Sequence, residues 1–135
     1  MLKSATFVLV ICAALSAQEI KKTTIQSTPP GSGKEMFQEY CAVCHGPEGK
    51  GNGPAADSLK KRPADLTQLA RKNGGNFPEL HVMNFISGSE FIAAHGNREM
   101  PIWGHLFQSL SPNDQGVVKI RIANLTDYLK TLQAQ

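Results

Sequence analysis

The stretch EYCAVCHGPEGKGNGP, residues 39–54, contains two cysteines, a histidine and four glycines. Cys41 and Cys44 are three residues apart, and His45 follows directly. Residues three and four apart lie on one face of an α-helix. A helix through this stretch therefore presents two thiols and an imidazole to one partner, and the redox surroundings of the chain decide which partners are possible.

The N-terminus predicts export from the cytoplasm. Lys3 is followed by an apolar run over residues 5–15 and then by the small residues Ser16 and Ala17, an order typical of a secretory signal peptide. The run is shorter than the ~20 residues that span a bilayer. We place cleavage after Ala17, so that residues 1–17 are the signal peptide, with cleavage after Ser16 as the alternative. An uncleaved anchor or a buried helix is the competing interpretation.

Signal cleavage changes the cysteine count. The sequence has three cysteines, and Cys12 leaves with the signal peptide. The bulky Ile11 before Cys12 disfavours a lipoprotein signal. Cys41 and Cys44 would then lie in an oxidising compartment, where they could form a disulfide unless something else consumes the thiols.

The rest of the chain is predicted to be a flexible leader followed by one domain. Residues 18–32 are polar and contain a Pro-Pro-Gly break, which favours a flexible leader. Residues 33–135 show no sustained alternation of apolar and polar positions, so an all-α domain is expected. The formal net charge of +3 comes without a long basic run interleaved with aromatics, which argues against a nucleic-acid partner.

Apolar spacing and end signals predict two helices in the first part of this domain. The first runs over about residues 33–44 and stops at Gly46, because glycine takes the left-handed conformation with little strain. The second begins near Asp65, which forms a pattern resembling a capping box with Gln68. Gly74-Gly75 ends it.

Two more helices are predicted in the second part. A third starts near Pro78 and ends by Gly88. For the last helix, Ser111 is the expected cap, Pro112 suits the first turn, and Asp114 complements the helix dipole. One apolar stripe follows at steps of four, three, four and three: Val118, Ile122, Leu125, Leu129 and Leu132.

The pattern C-x-x-C-H is the attachment signature of a c-type haem. Each thiol of Cys41 and Cys44 adds across a haem vinyl group to give a thioether, and His45 binds the iron as proximal ligand. Both thiols are then consumed, so no disulfide is needed. A ligating histidine also needs an acceptor for its other ring nitrogen, and we expect a backbone carbonyl near Pro54.

Two other uses of the cysteine pair fit less well. A structural zinc site needs four ligands, but no second cysteine pair exists and His81, His95 and His105 lack the short spacing of zinc-binding histidines. A thioredoxin-like pair needs a βαβ context, which the sequence does not show. The prediction is therefore one covalent haem c.

From about Gly33 to Leu132 the chain resembles the small single-haem class I cytochromes c of bacteria. The resemblance is carried by GKEMFQEYCAVCHGPEGKGNGPAA, REMPIWG and LTDYLKTL. It implies an all-α fold wrapped around one haem, with the first and last helices crossing at a small contact. Gly33 and Phe37 match the first-helix side of that contact, and Leu125 and Tyr128 match the last-helix side.

The resemblance also implies a second iron ligand, a methionine followed by proline in a late loop, which Met100-Pro101 matches. Pro101 favours an extended conformation at Met100, whereas Met36 lies on the attachment helix and Met83 has the spacing of a core residue. The alternatives are Met100 as plain core filler and a histidine ligand instead: His81, His95 or His105.

Iron held by His45 and Met100 has no free position, which suits one-electron transfer rather than substrate chemistry. We expect a periplasmic electron carrier rather than an enzyme. It would be monomeric, without a membrane span after signal cleavage, and would meet redox partner proteins at the haem edge through contacts below ~1,200 Å². The alternatives are an open-site haem enzyme or gas sensor, and an accessory cytochrome subunit of a respiratory complex.

Overall fold

The computed structural model describes residues 25–89 and 100–134. In these two ranges every regular element is a helix, so the all-α expectation is confirmed. Within the same ranges no helix is long and apolar enough to cross a membrane. The predicted signal peptide, with Cys12, and the first part of the predicted leader lie outside the described residues, as does His95.

The first helix, α1, ends directly at the cysteine and histidine motif. Its N-terminus is capped by Ser32, whose Oγ accepts a hydrogen bond from the Glu35 backbone N–H at 3.3 Å. Gly46, with φ 78°, ends it, as the sequence predicts. The helix has three consecutive parts, of which the middle one is a wider π-helical turn: Gly33–Met36, Phe37–Cys41 and Ala42–His45.

The second and third helices follow a loop that contains a short 3₁₀ turn, Ala56–Ser58. Asp65 caps a 3₁₀ turn, Leu66–Gln68, which continues into α2, Leu69–Lys72. The predicted capping box is wrong, because Gln68 Oε1, which would have to accept from the Asp65 backbone N–H, has no hydrogen-bond partner among the described residues, and the Gln68 amide donates to the Thr67 hydroxyl. Helix α3, Glu79–Ser87, ends at the left-handed Gly88 as predicted.

The last two helices include one that the sequence reading missed. Helix α4 spans Trp103–Leu110 and α5 spans Gln115–Thr131. The cap of α5 is Asp114, whose Oδ1 accepts from the Val117 N–H at 3.0 Å, so the prediction of Ser111 as cap is wrong and Pro112 precedes the helix. The predicted stripe of α5 is buried except for the half-buried last member: Val118, Ile122, Leu125, Leu129 and Leu132.

Helices α1 and α5 cross at the contact that the resemblance implies. A Cβ at Gly33 would lie 2.1 Å from the Asn124 carbonyl oxygen, so only glycine lets the two backbones approach so closely. Beside it the rings of Phe37 and Tyr128 pack with centroids 5.4 Å apart, and Leu125 is buried. This crossing joins the attachment helix to the C-terminal half of the domain.

Part of the predicted flexible leader is held against the helices. The Tyr40 hydroxyl donates to the Gln26 carbonyl at 2.7 Å and accepts from the Thr28 N–H at 3.1 Å. The Asn124 amide donates to the Pro30 carbonyl at 3.1 Å. Hydrogen bonds therefore join residues 26–30 to α1 and α5.

Candidate functional site

The two cysteines lie on the last turns of α1 and are both free thiols. Cys41 is 7% exposed and Cys44 is half-buried. Burial, with a smaller contribution from Cys44, raises the pKa of Cys41 to about 12. Cys41 is therefore a neutral thiol, unlike the low-pKa thiolates of nucleophilic or redox-active cysteines.

His45 ends the same helix and is 8% exposed. Its Nδ1 lies 2.9 Å from the Ala64 carbonyl oxygen. Because a carbonyl only accepts, this bond places the ring proton on Nδ1 and leaves the Nε2 lone pair available to a metal. The acceptor is thus ten residues beyond the predicted position near Pro54, and that prediction is wrong.

The charge state of His45 suits metal binding. Burial lowers the pKa of this imidazole, and the hydrogen bond to Ala64 raises it by a smaller amount. The net effect favours the neutral ring, and neutral imidazole is the form that ligates metals.

The glycine-rich loop after His45 folds back onto the end of α1. The Gly51 N–H donates to the His45 carbonyl at 2.7 Å, and the Gly53 N–H donates to the Cys44 carbonyl at 3.0 Å. A Cβ at Gly53 would lie 2.5 Å from the Ala42 carbonyl oxygen. The loop thus satisfies carbonyls that the helix end leaves open, and it needs a residue without a side chain to come so close.

A second set of bonds brings the far end of this loop to the histidine. The Leu66 N–H donates to the Gly49 carbonyl at 2.7 Å, and Arg62 Nε donates to the Gly51 carbonyl at 3.3 Å. A Cβ at Gly51 would lie 2.3 Å from the Pro63 carbonyl oxygen. These contacts place the backbone segment that contains the Ala64 carbonyl beside the His45 ring.

Met100 is half-buried and lies in a bend just before α4. Trp103, in the first turn of α4, packs its ring on Tyr40 with centroids 5.8 Å apart. Tyr40 precedes Cys41 on α1, so the structure brings the segment that carries Met100 to the helix that carries the other three predicted site residues. The sequence patterns above did not predict this contact between Tyr40 and Trp103. The four-residue spacing of Trp103 and Phe107, which places both on one helical face, is the signal that could have indicated it.

The competing ligands are placed differently. His81 and His105 are exposed on α3 and α4, and the His81 ring lies 6.3 Å from that of Phe85. Among the residues that the structure describes, no group of three or more His, Cys, Asp or Glu side chains could hold a metal ion. The described part of the chain therefore offers no zinc site.

The donor set fits a covalently bound haem. Two unpaired thiols and a neutral imidazole with one free nitrogen lie within five residues at the end of one helix. These are the groups that form the thioethers and the proximal iron bond of haem c.

A comparison with protein families agrees with this donor set. The model of the family described as "Cytochrome C oxidase, cbb3-type, subunit III" matches residues 28–115. The match includes α1 to α4 and all four predicted site residues. No curated protein and no solved structure matches the chain.

Proposed function

The chain belongs to the family of cbb3-type cytochrome c oxidase subunit III, and on this premise we propose that it is a periplasmic carrier of single electrons. The match supports a single-haem class I cytochrome c, and the chain binds haem c covalently. Electron transfer through the haem is what the family implies. The proposal adds the attachment residues, both iron ligands and the cellular location.

The observation that carries the proposal is the hydrogen bond between His45 Nδ1 and the Ala64 carbonyl at 2.9 Å, beside two free thiols. Cys41 and Cys44 each form one thioether, and His45 Nε2 is the proximal ligand. The bound haem supplies the one-electron couple of its iron. The Ala64 carbonyl keeps the ring proton on Nδ1 and fixes the orientation of the imidazole.

Met100 is the second axial ligand in this proposal. Its thioether is soft and polarizable, and such a ligand stabilises ferrous iron and raises the reduction potential. The support is the match of Met100-Pro101 to the class I pattern, the half-buried position of Met100 and the packing of Trp103 on α1. With His45 and Met100 both bound to it, the haem iron would have no position for a substrate, and the group would supply one-electron transfer.

Electrons would enter and leave near the attachment motif. Val43, between the two cysteines, is 49% exposed, so the outer side of this turn is open to another protein. Redox partners of electron carriers form small, transient contacts, below ~1,200 Å² in total. We expect donor and acceptor proteins to share this exposed face.

A spectroelectrochemical titration of the purified protein tests the carrier function. We expect one reversible one-electron wave, reduced spectra that are unchanged by carbon monoxide, and haem that stays on the denatured polypeptide in a stained gel. An open-site enzyme or gas sensor would bind carbon monoxide at once when reduced. A spectrum that shifts with carbon monoxide would therefore contradict the proposal.

An accessory subunit of a respiratory complex is the second candidate, favoured by the family's description. The haem chemistry is the same, but the partner is fixed. Fractionation of cells that express the full-length chain separates the two. A carrier appears in the periplasmic extract with its N-terminus at Gln18 or Ala17, whereas a subunit co-purifies with membrane oxidase activity.

A further inference from the structure

We propose that Tyr40 and Arg121 are positioning residues for Met100, and that the N-terminal segment 26–30 belongs to the same unit. The proposal rests on the function proposed above, in which Met100 ligates the iron. Residues ahead of the helical domain would then control how firmly Met100 is held on the iron. The groups that act are the Tyr40 hydroxyl, the Arg121 guanidinium and the first turns of α4.

Tyr40 connects the N-terminal segment to α4. Its hydroxyl donates to the Gln26 carbonyl at 2.7 Å and accepts from the backbone N–H and the hydroxyl of Thr28, both at 3.1 Å. The ring of this buried residue packs on Trp103 and on Phe107, with centroids 5.8 Å away in each case. One side chain thus contacts the segment at its polar end and α4 at its apolar face.

Arg121 on α5 completes the unit from the other side. It is 3% exposed, its Nη1 donates to the Thr28 hydroxyl at 3.3 Å, and its guanidinium lies 5.9 Å from the centre of the Phe107 ring. That distance is within the range of a cation–π contact. Its Nε finds no hydrogen-bond partner among the described residues. The position of this buried cation therefore depends on Thr28 and Phe107.

The contacts of α4 explain why this unit acts on Met100. Helix α4 begins at Trp103, three residues after Met100. Its start lies close to the end of α3, since a Cβ at Gly104 would be 2.3 Å from the Ser87 carbonyl oxygen and one at Gly88 would be 2.4 Å from Ile102 Cγ2. Besides this contact with α3 and its packing on α5, α4 is held on the side of α1 by the rings of Trp103 and Phe107, which pack on Tyr40.

The same helix carries Tyr40 and the proximal ligand. Tyr40 is five residues before His45 on α1, so the packing of α4 on Tyr40 sets the Met100 segment relative to the opposite axial ligand. Loss of the hydroxyl contacts frees Tyr40 and Thr28 together, and the first turn of α4 loses its support on that side. Met100 should then leave the iron more often, with the haem still attached.

The test uses the full-length haem protein with Tyr40→Phe and Thr28→Val. Tyr128→Phe is the matched control for the first, because it makes the same chemical change at the α1–α5 crossing. Ser27→Ala, at an exposed neighbouring position, is the control for the second. Thr28→Ser keeps the hydroxyl and should rescue the ligand. The readouts are the rate of carbon monoxide binding to reduced protein and the weak far-red band of ferric iron bound to methionine sulfur.

Tyr40→Phe loses the three hydrogen bonds of the Tyr40 hydroxyl, and Thr28→Val loses the two of the Thr28 hydroxyl. We expect each variant to bind carbon monoxide at least about fivefold faster than the parent protein, since even one lost hydrogen bond gives a change of that size. The far-red band should disappear at a lower temperature, while haem stain and the controls stay at parental values. Arg121→Lys keeps the charge but loses the planar guanidinium and should act in the same direction.

Two outcomes would overturn the inference, and they are distinguishable. If the parent protein lacks the far-red band or binds carbon monoxide at once, the Met100 assignment fails and the inference fails with it. If the parent shows a closed site and the variants unfold earlier but keep parental carbon monoxide rates and far-red bands, Tyr40 and Arg121 are structural only. The proposed function then stands without this inference.

Discussion

The candidate site has two ends: the attachment end, residues 41–66, and the Met100 end, residues 100–110. Backbone hydrogen bonds hold α1 and its following loop together at the attachment end, whereas side-chain packing holds the Met100 end. The bonds of Gly51 to His45 at 2.7 Å and of Gly53 to Cys44 at 3.0 Å join residues close in sequence. Around Met100, the support comes from the packing of α4 on the Tyr40 ring of α1 and from the close approach of α3 and α4. The first arrangement is local, and the second requires most of the fold.

The two ends should therefore respond differently to changes in side-chain packing. In the proposed function the attachment end would also hold the haem by two covalent bonds, which would keep His45 beside the iron when the surrounding structure fluctuates. The Met100 end depends on the relative positions of α1, α3, α4 and α5, and local opening is easiest where contacts are few and distant in sequence. A change in packing should therefore weaken the second axial ligand before it weakens the first.

The largest effect is expected from removal of the covalent links. The double variant Cys41→Ser and Cys44→Ser cannot form thioethers, and haem stain should vanish from the denatured band. Because the haem would no longer be held covalently, holoprotein should also fail to accumulate in periplasmic extracts. Haem stain and visible absorbance per mole of chain are the measurements.

The single variants are the controls for this prediction. Cys41→Ser or Cys44→Ser alone leaves one thiol, and covalent haem should persist through one thioether with reduced yield. Stain that survives in the double variant would show that the attachment site lies elsewhere in the chain.

A smaller loss of stability is expected from a change at the crossing of α1 and α5. In Gly33→Ala the new methyl group meets the Asn124 carbonyl, which is backbone and cannot turn away. Such overpacking lowers the free energy of unfolding by about 1–3 kcal/mol. Urea unfolding of the haem protein, followed by circular dichroism, measures it.

Gly31→Ala is the matched control, since nothing lies within 4 Å of a Cβ at that position. The two variants should therefore differ clearly in unfolding midpoint. Equal midpoints would mean that the α1–α5 crossing is looser than the structure shows.

The smallest effect is expected at Asp65, next to the carbonyl that holds His45. Its Oδ1 accepts from the Thr67 N–H at 2.9 Å, and the bonds from Thr67 lower the pKa of this carboxyl. Asp65→Ala should lower the free energy of unfolding by about 1 kcal/mol, as expected for a lost cap. Asp65→Asn keeps an acceptor and should lower it less.

The pH dependence of stability distinguishes charge from capping. Because the folded state lowers the pKa of Asp65, its stabilisation is complete above the unfolded value of ~3.9 and is lost as the pH falls through the lower folded value. Between about pH 5 and pH 2, the parent should therefore lose more free energy of unfolding than Asp65→Asn. The difference should be about the contribution of one exposed N-cap. Parallel pH profiles for the two proteins would contradict this account.

Sequence patterns were sufficient where local rules decide the structure. The cysteine and histidine spacing on α1, the stop at Gly46 and the buried stripe of α5 depend on helix geometry and glycine conformation, and the structure has all three. The end of α3 at Gly88 follows the same rule.

Sequence patterns did not predict contacts between residues far apart in the chain, or which of two suitable residues caps a helix. The acceptor of His45 is Ala64, 19 residues away, and no spacing rule gives that distance. Helix α4 has no side-chain cap at Ile102, so it lacks the usual start signal, and it packs on the ring of Tyr40 from α1. At α5, Ser111 and Asp114 both suit a cap, and the choice of Asp114 sets the helix start.

Carbon monoxide binding to reduced Met100→Ala decides whether His45 and Met100 together leave the haem iron no free position. Met83→Ala is the control, because Met83 is a half-buried methionine on α3 that packs against the core. We expect rapid carbon monoxide binding, loss of the far-red ferric band and a lower potential in Met100→Ala alone. Parental spectra and potential in Met100→Ala, or carbon monoxide binding by the parent protein, would contradict it.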